Sequence, residues 1–124
     1  MIGGAGGKAA GRAVGAVWSV TVAETDGVRL LDDAAVREAG RGRTSGAPVF
    51  DAPAPWPRWG AGMQLDSEAR RYLGPSSIGH DGAGGQVAFA DLDARVGFAF
   101  VTNRMESEDP RATRIVEALR AALG

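Results

Sequence analysis

The residues with the clearest chemical potential lie in one glycine-rich segment, Gly79–Gly85, which contains the only histidine of the chain, His80. The glycines and the alanine of this segment leave the backbone open to close approach, because they carry little or no side chain. Backbone N–H groups along such an open edge can hold the oxyanion of an acyl-transfer reaction. A lone histidine beside glycines is also common as a solvated loop residue, so the segment alone leaves both interpretations open.

The residue inventory excludes several other kinds of site. The chain has no cysteine and one histidine, which rules out disulfides, zinc–thiolate sites and histidine clusters, and we expect no metal and no cofactor. Gly-x-Ser-x-Gly does not occur, and a phosphate-binding loop around Lys8 fails because Ile2 and Ala9 occupy its glycine and Ser/Thr positions. Asp91 and Asp93 are too few for a calcium loop and are predicted to be turn residues.

An independent serine hydrolase would have to use Ser76 or Ser77 together with His80. The two serines are four and three residues from the histidine on a predicted strand. No third group is evident that would orient the histidine, as catalytic triads require. We therefore expect that these serines are not nucleophiles.

The composition is typical of one globular domain. The chain has 124 residues, 44% of them hydrophobic and 23% charged, with 14 basic and 15 acidic side chains, and this balance gives no reason to expect nucleic acid. No apolar run approaches roughly 18 residues, and the N-terminus lacks the apolar stretch of a signal peptide. We therefore expect no membrane association and a cytoplasmic location. Residues 1–8 are predicted to be a flexible glycine-rich N-terminus, and residues 9–124 a single folded unit.

The hydrophobic periodicities predict helices towards both ends of the chain and strands between them. Asp32 can cap a short helix that ends at Gly40, and Asp109 with Pro110 marks the start of the last helix. Residues 41–58 hold four of the six prolines without any period, which predicts a loop that borders something functional. The predicted helices span 9–22, 33–39 and 110–123, and the predicted strands are 59–65, a run from Ser77, 86–91 and 95–103.

The run 95–103 is apolar on both of its faces. Val96 and Phe98 alternate with Gly97 and Ala99, which implies a central strand that is covered on both sides. The last helix has a single apolar stripe, which needs a sheet to cover it. The sequence therefore predicts an α+β fold in which helices pack on an antiparallel sheet, with the element order α-α-β-β-β-β-α.

Five segments in this order resemble the C-terminal portion of the class C β-lactamase-like serine hydrolases. That group includes β-lactamases, family VIII-type carboxylesterases and penicillin-binding peptidases. The resemblance begins upstream at Asp26–Leu31 and covers nearly the whole chain from about residue 9, so it implies a partial β-lactamase/transpeptidase-like fold. The five segments are Gly60–Leu65, Gly79–Gly85, Val87–Asp91, Gly97–Asn103 and Asp109–Ala112.

The resemblance implies an acyl-enzyme mechanism built from three motifs. A Ser-x-x-Lys supplies the nucleophile and a base, a Tyr-x-Asn supplies a second proton-transfer group, and a Lys-Thr-Gly-like strand lines the site. In the esterase-like branch the third motif is His-x-Gly, which matches His80-Asp81-Gly82. By this resemblance His80 orients the substrate or its leaving group, Gly82 allows close approach, and the Ala83 N–H is one of two oxyanion donors. Asn103 is a candidate for the rim of the substrate site, although a strand-end amide that satisfies the backbone would look the same.

Two of the three motifs are missing from this sequence. The only lysine is Lys8, which no serine precedes, and the only tyrosine begins Tyr72-Leu73-Gly74. We therefore expect one wall of an active site, in the C-terminal segment of a hydrolase of small acyl esters or amides, inactive alone and arising by truncation, gene disruption or a misplaced start. The alternative is a non-catalytic binding or interaction module derived from that fold. An open strand edge would favour self-association of the isolated chain.

Overall fold

The computed structural model describes residues 9–106 and 109–124, so the segment 1–8, predicted to be flexible, lies outside the described residues. The described part forms three helices and five strands. In chain order they are α1 Gly11–Val22, α2 Asp33–Ala39, β1 Arg58–Trp59, β2 Gln64–Leu65, β3 Ser77–Gly82, β4 Gln86–Asp91, β5 Val96–Phe100 and α3 Arg111–Leu123.

The strands form one antiparallel sheet in the order β1-β2-β3-β4-β5, so each strand pairs with its neighbours in sequence. β3 and β4 pair along their whole length, from Ser77 opposite Asp91 to Gly82 opposite Gln86. β4 pairs in turn with β5. The predicted α+β class, with helices on an antiparallel sheet, is confirmed.

The predicted strand 59–65 consists of two short strands joined by a tight turn. Gly62 has a φ of +75°, which favours glycine, and the Gly60 N–H donates to the Met63 carbonyl at 2.8 Å. Gly60 also lies against the end of α2, because a Cβ built there would be 2.1 Å from the carbonyl oxygen of Ala39. The sheet therefore has five strands where the sequence predicted four.

β5 is the outer strand of the described sheet, so the prediction of a central strand was wrong. The predicted run 95–103 is also too long, because Arg95 has a φ of +57° in the preceding turn and strand pairing ends at Phe100. The apolar faces of β5 are covered by α1 on one side and by an aromatic cluster on the other. An apolar pattern on both faces indicates two covering layers, and it does not report the neighbours within the sheet.

α1 and α2 cover one face of the sheet. The backbones of α1 and β5 approach so closely that a Cβ at Gly97 would lie 2.2 Å from the Ser19 nitrogen. The predicted cap of α2 is confirmed, because the Asp32 carboxylate accepts a hydrogen bond from the Ala35 N–H at 2.7 Å. The buried side chains of this layer are Val22, Val36, Leu65, Ile78, Ala90 and Leu92.

α3 covers the opposite face, which buries a second cluster of Tyr72, Val87, Phe89, Ala112 and Val116. The rings of Tyr72 and Phe89 lie 4.9 Å apart between their centroids. α3 begins at Arg111, one residue later than predicted, so Pro110 occupies the N-cap position and the predicted cap at Asp109 was wrong. The Asp109 carboxylate, one residue before the cap, accepts from the Arg111 N–H at 3.0 Å. The two helical layers hold the sheet, and β3 at its middle carries the candidate site.

Candidate active site

His80 and Gly82 lie on β3, and Ala83 begins the turn that leads to β4. β4 pairs with all of β3, whereas β2 pairs only with Ile78 and Gly79. In the part of the chain that the structure describes, one edge of β3 therefore has no strand beside it from His80 onward. His80, Gly82 and Ala83 are exposed there. This arrangement gives the end of β3 an accessible backbone edge.

The turn after β3 leaves the Ala83 N–H without a protein acceptor among the described residues. Gly84 and Gly85 form the rest of this turn with φ values of +83° and +88°. A Cβ on Gly84 would lie 2.9 Å from the Cα of Met105, and one on Gly85 would lie 2.5 Å from the Cβ of Asp109. The two glycines therefore allow the turn to fold against Met105 and Asp109.

The imidazole of His80 is exposed and has two neighbours. Its Nδ1 lies 2.5 Å from the carbonyl oxygen of Asp81, so Nδ1 donates and the neutral ring keeps Nε2 as an acceptor. The ring of Trp59 lies 5.4 Å away between centroids and is tilted by 52°. Together these contacts restrict the orientations of the imidazole at the open edge of β3.

Asp81, the middle residue of the His-x-Gly motif, links β3 to the layer that contains α3. Its Oδ1 accepts hydrogen bonds from Arg70 Nε at 3.0 Å and from the Tyr72 hydroxyl at 3.3 Å. Arg70 also donates to the Thr113 hydroxyl of α3 at 3.0 Å. Burial, and then the nearby charge of Asp81, raises the pKa of the Tyr72 phenol above its usual range. Arg70 is not recognisable as a site residue from the sequence, because nothing in a pattern links an arginine to a carboxylate eleven residues later.

Ser76 and Ser77 hold the start of β3 and are not arranged as nucleophiles. Their hydroxyls lie 2.9 Å and 2.6 Å from the two carboxylate oxygens of Asp91, which is buried. The Ser77 hydroxyl also accepts from the Gly74 N–H at 3.1 Å, and the side chain is fully buried. Asp91 additionally accepts from the Ala94 N–H at 2.8 Å, which is the turn role that the sequence predicts for it.

Asn103 lies apart from the other candidates. It occupies an exposed bend after β5, and β4 separates β5 from β3. The structure therefore brings His80, Gly82 and Ala83 together and leaves Asn103 at the same end of the sheet, beyond Phe100, which pairs with Val87. A role for Asn103 at the rim of the substrate site stays a prediction.

The part of the chain that the structure describes has neither a metal-binding cluster nor a membrane-spanning helix. No group of three or more histidine, aspartate or glutamate side chains there could hold a metal ion. None of the described helices combines the length and apolar character needed to cross a bilayer.

The sequence and the fold are similar to those of known proteins. A family model described as beta-lactamase matches residues 3–123. The fold is similar to that of EstA from Arthrobacter nitroguajacolicus Rue61a, with a TM-score of 0.80 and 20% identity, over 93% of this chain and 32% of that one. It is also similar to a penicillin-binding protein homologue from Caulobacter crescentus, with a TM-score of 0.71 and 32% identity, over 90% of this chain and 30% of that one.

A third similar structure is a family VIII carboxylesterase, with a TM-score of 0.64 and 24% identity, over 92% of this chain and 30% of that one. No curated protein matches the chain significantly. The chain spans about a third of the length of each of these three structures. The likeness to the two structures below 25% identity concerns the fold.

Proposed function

Since the chain belongs to the beta-lactamase family, we propose that residues 9–124 form the C-terminal segment of a serine hydrolase that cleaves small esters or amides through an acyl-enzyme. One similar structure is named a carboxylesterase and another a homologue of a penicillin-binding protein, which is why both bond types are included. In this proposal the chain supplies one wall of the active site, and no cofactor takes part.

The observation that carries the proposal is the Ala83 N–H at the exposed end of β3, which has no acceptor among the described residues. When a nucleophile attacks a carbonyl carbon, negative charge develops on the oxygen, and an N–H placed about 2.7–3.1 Å from that oxygen stabilises it. The donor is a backbone group, so alanine suits this position. Gly82 leaves the adjacent backbone uncovered, which lets a substrate carbonyl approach the Ala83 N–H.

His80 is proposed to orient the substrate or its leaving group. Because Nδ1 is directed at the Asp81 carbonyl, the neutral imidazole presents Nε2 as a hydrogen-bond acceptor at the open edge. Such an acceptor can receive a hydrogen bond from a substrate N–H or from the hydroxyl of a departing alcohol. The Trp59 ring limits how far the imidazole can turn away.

The nucleophile and its base are proposed to come from polypeptide outside these 124 residues. Neither Ser-x-x-Lys nor Tyr-x-Asn occurs in the sequence. Ser76 and Ser77 are unsuited to the role, because their hydroxyls are engaged by the Asp91 carboxylate. Loss of a nucleophile and base removes most of the rate enhancement of such enzymes, so the chain alone is proposed to be inactive.

A non-catalytic binding or interaction module is the second candidate function. The covering of both sheet faces favours it, because α1 and α3 give this segment two buried clusters of its own. A module of this kind would keep the fold while making no use of the Ala83 N–H.

The test compares the chain alone with the same chain extended by the coding sequence immediately upstream. The chain alone should hydrolyse neither a chromogenic cephalosporin nor p-nitrophenyl acetate above a boiled control. The extended protein should contain Ser-x-x-Lys and Tyr-x-Asn and should show hydrolysis that is lost when the serine of Ser-x-x-Lys is replaced by alanine. An upstream sequence without these motifs would support the interaction module, and activity of the chain alone that Ser76→Ala or Ser77→Ala abolishes would contradict the proposal.

A further inference from the structure

The loop between α2 and β1 encloses a large apolar cavity. Its volume is about 630 Å³, and residues 44–59 form its whole wall. No lining residue carries a charge, and the wall is formed by prolines, by small residues and by the side chains of Val49, Phe50, Trp56 and Trp59. Cavities of roughly 300–1,000 Å³ with mostly apolar and aromatic walls are typical of small-molecule sites.

Hydrogen bonds hold this loop in shape without a ligand. At its neck, Thr44 and Trp59 exchange backbone hydrogen bonds of 3.0 and 3.2 Å. Within the loop, the indole Nε1 of Trp56 donates to the carbonyl of Ala52 at 2.9 Å. The prolines further restrict the backbone of the loop. The cavity is therefore largely preformed, which lowers the entropic cost of binding.

The mouth of the cavity leaves large apolar side chains uncovered. Val49 is fully exposed and Phe50 is 69% exposed, although both line the cavity. A ligand that covered them would gain the free energy of removing apolar surface from water. Because the lining residues are mostly apolar and none carries a charge, the ligand surface that the wall fits best is neutral and apolar.

Trp59 joins this cavity to the candidate active site. Its ring lines the cavity, and the same ring lies 5.4 Å from that of His80 between centroids. Ala83 lies three residues beyond His80, about 10 Å of extended chain, so a substrate whose carbonyl reached the Ala83 N–H would have to extend one substituent back along β3 to reach Trp59. The cavity lies where the larger apolar portion of such a substrate could be held.

We infer that the cavity bounded by Phe50, Trp56 and Trp59 binds the apolar portion of the substrate, an aromatic ring or a short branched chain on either the acyl or the alcohol side of a neutral ester. The assignment to a substrate rests on the proposed hydrolase function. Binding itself requires neither the nucleophile nor the base, so it can be measured on the chain alone.

The chain carries its own reporters for this measurement. It has three tryptophans and one histidine, so each indole N–H and the His80 Cε1–H gives a separate NMR signal once assigned. Trp56 and Trp59 line the cavity, whereas Trp18 lies on α1 and serves as an internal control. Benzyl acetate carries the ring on the alcohol side, ethyl benzoate carries it on the acyl side, and ethyl acetate lacks a ring.

Titration with either aromatic ester should shift the indole signals of Trp56 and Trp59 and leave that of Trp18 unchanged. Ethyl acetate should bind at least tenfold more weakly, because it buries far less apolar surface. Only one of the two aromatic esters should also shift the His80 signal. That ester shows whether the ring in the cavity belongs to the acyl or to the alcohol side of the ester bond. Absence of a shift at Trp56 and Trp59, or an equal shift at Trp18, would overturn the inference.

Variants at the mouth of the cavity give the matched comparison. Phe50→Asp and Val49→Asp place a charge at exposed positions, so both should fold, and each should weaken binding of the aromatic ester at least tenfold. Leu30→Asp, at an apolar side chain that is 59% exposed and outside the cavity, should leave binding unchanged. An equal loss in Leu30→Asp would contradict the inference. If the aromatic ester binds at the cavity but the extended protein does not hydrolyse it, the cavity is still a binding site. That result would contradict only the proposed function.

Discussion

Arg70 and Asp81 form an ion pair under the strand that carries His80, with Arg70 Nε 3.0 Å from Asp81 Oδ1. The Arg70 side chain is only 13% exposed. Since Asp81 is the neighbour of both His80 and Gly82, this pair fixes the segment whose backbone faces the proposed substrate. The pair thus links α3, through Thr113, to the geometry of the site.

Replacing Arg70 should therefore destabilise the chain more than replacing its neighbour Arg71. Arg70→Ala leaves Asp81 with one hydrogen bond fewer and removes the link to Thr113, which should cost about 1–2 kcal/mol after allowing for partial solvent screening. Arg71 has a 61% exposed side chain that pairs with Asp66, so Arg71→Ala should cost no more than about 0.5 kcal/mol. Urea unfolding of both variants measures the difference, and equal midpoints would contradict the structural role of Arg70.

The single tyrosine provides a pH test of the same network. Burial raises the pKa of Tyr72 in the folded state above the usual value of about 10. The folded state then holds the phenol proton more tightly than the unfolded state, so the contribution to stability is complete below about pH 10 and is lost as the pH rises further. Tyrosinate absorbance should appear together with unfolding and not before it. A tyrosinate signal near pH 10 in the folded chain would show that Tyr72 is not buried against Asp81.

Two glycines test the packing of α1 on the sheet. A Cβ at Gly97 would lie 2.2 Å from the backbone nitrogen of Ser19, so Gly97→Ala should displace α1 and destabilise the chain by about 3 kcal/mol. Gly15 lies inside α1, where a Cβ would be 3.8 Å from the nearest atoms, both of Ala99. Gly15→Ala should therefore stabilise the chain by about 0.5–1 kcal/mol. Thermal melts of the two variants should shift in opposite directions, and a shift of the same sign would argue against this packing.

The outer edge of β5 affects whether the isolated chain self-associates. Val96–Phe100 pair only with β4 within the described sheet, and an unpaired strand edge invites pairing with another chain. We predict that sedimentation of the isolated chain depends on its concentration. A clean monomer with a cooperative melt above about 60 °C would contradict this prediction and favour the interaction module.

Local sequence patterns predicted the helices and most of the strands. The apolar stripe of α3 and the cap at Asp32 depend on residues within one or two turns of each other, so the sequence alone could reveal them. The division of 59–65 into two strands depends on the approach of Gly60 to Ala39, a contact that no local pattern encodes. The position of β5 at the edge of the sheet could not be predicted either. The apolar pattern on both faces of the strand indicates the layers above and below it, and it carries no information on which strands lie beside it.

At the candidate site, the motif could be predicted from the sequence, but the contacts that position it could not. His80, Gly82 and Ala83 are consecutive or nearly so, and their exposure at the end of β3 follows from the glycine-rich sequence. The ion pair of Arg70 with Asp81 and the contact of Trp59 with His80 join residues that are distant in sequence. The proline-rich stretch 41–58 was predicted to border something functional, but the cavity inside it depends on the folded course of the loop, which brings Thr44 to Trp59.

The oxyanion donor gives the most direct test of the account. In the chain extended by its upstream coding sequence, Ala83→Pro removes the backbone N–H, whereas Ala83→Ser retains it. We predict that kcat for p-nitrophenyl acetate falls about 10²–10³-fold in Ala83→Pro, as is usual when one oxyanion donor is removed, and changes little in Ala83→Ser. Equal kcat values for the two variants, with circular dichroism showing that both are folded, would contradict the assignment of Ala83 to the oxyanion.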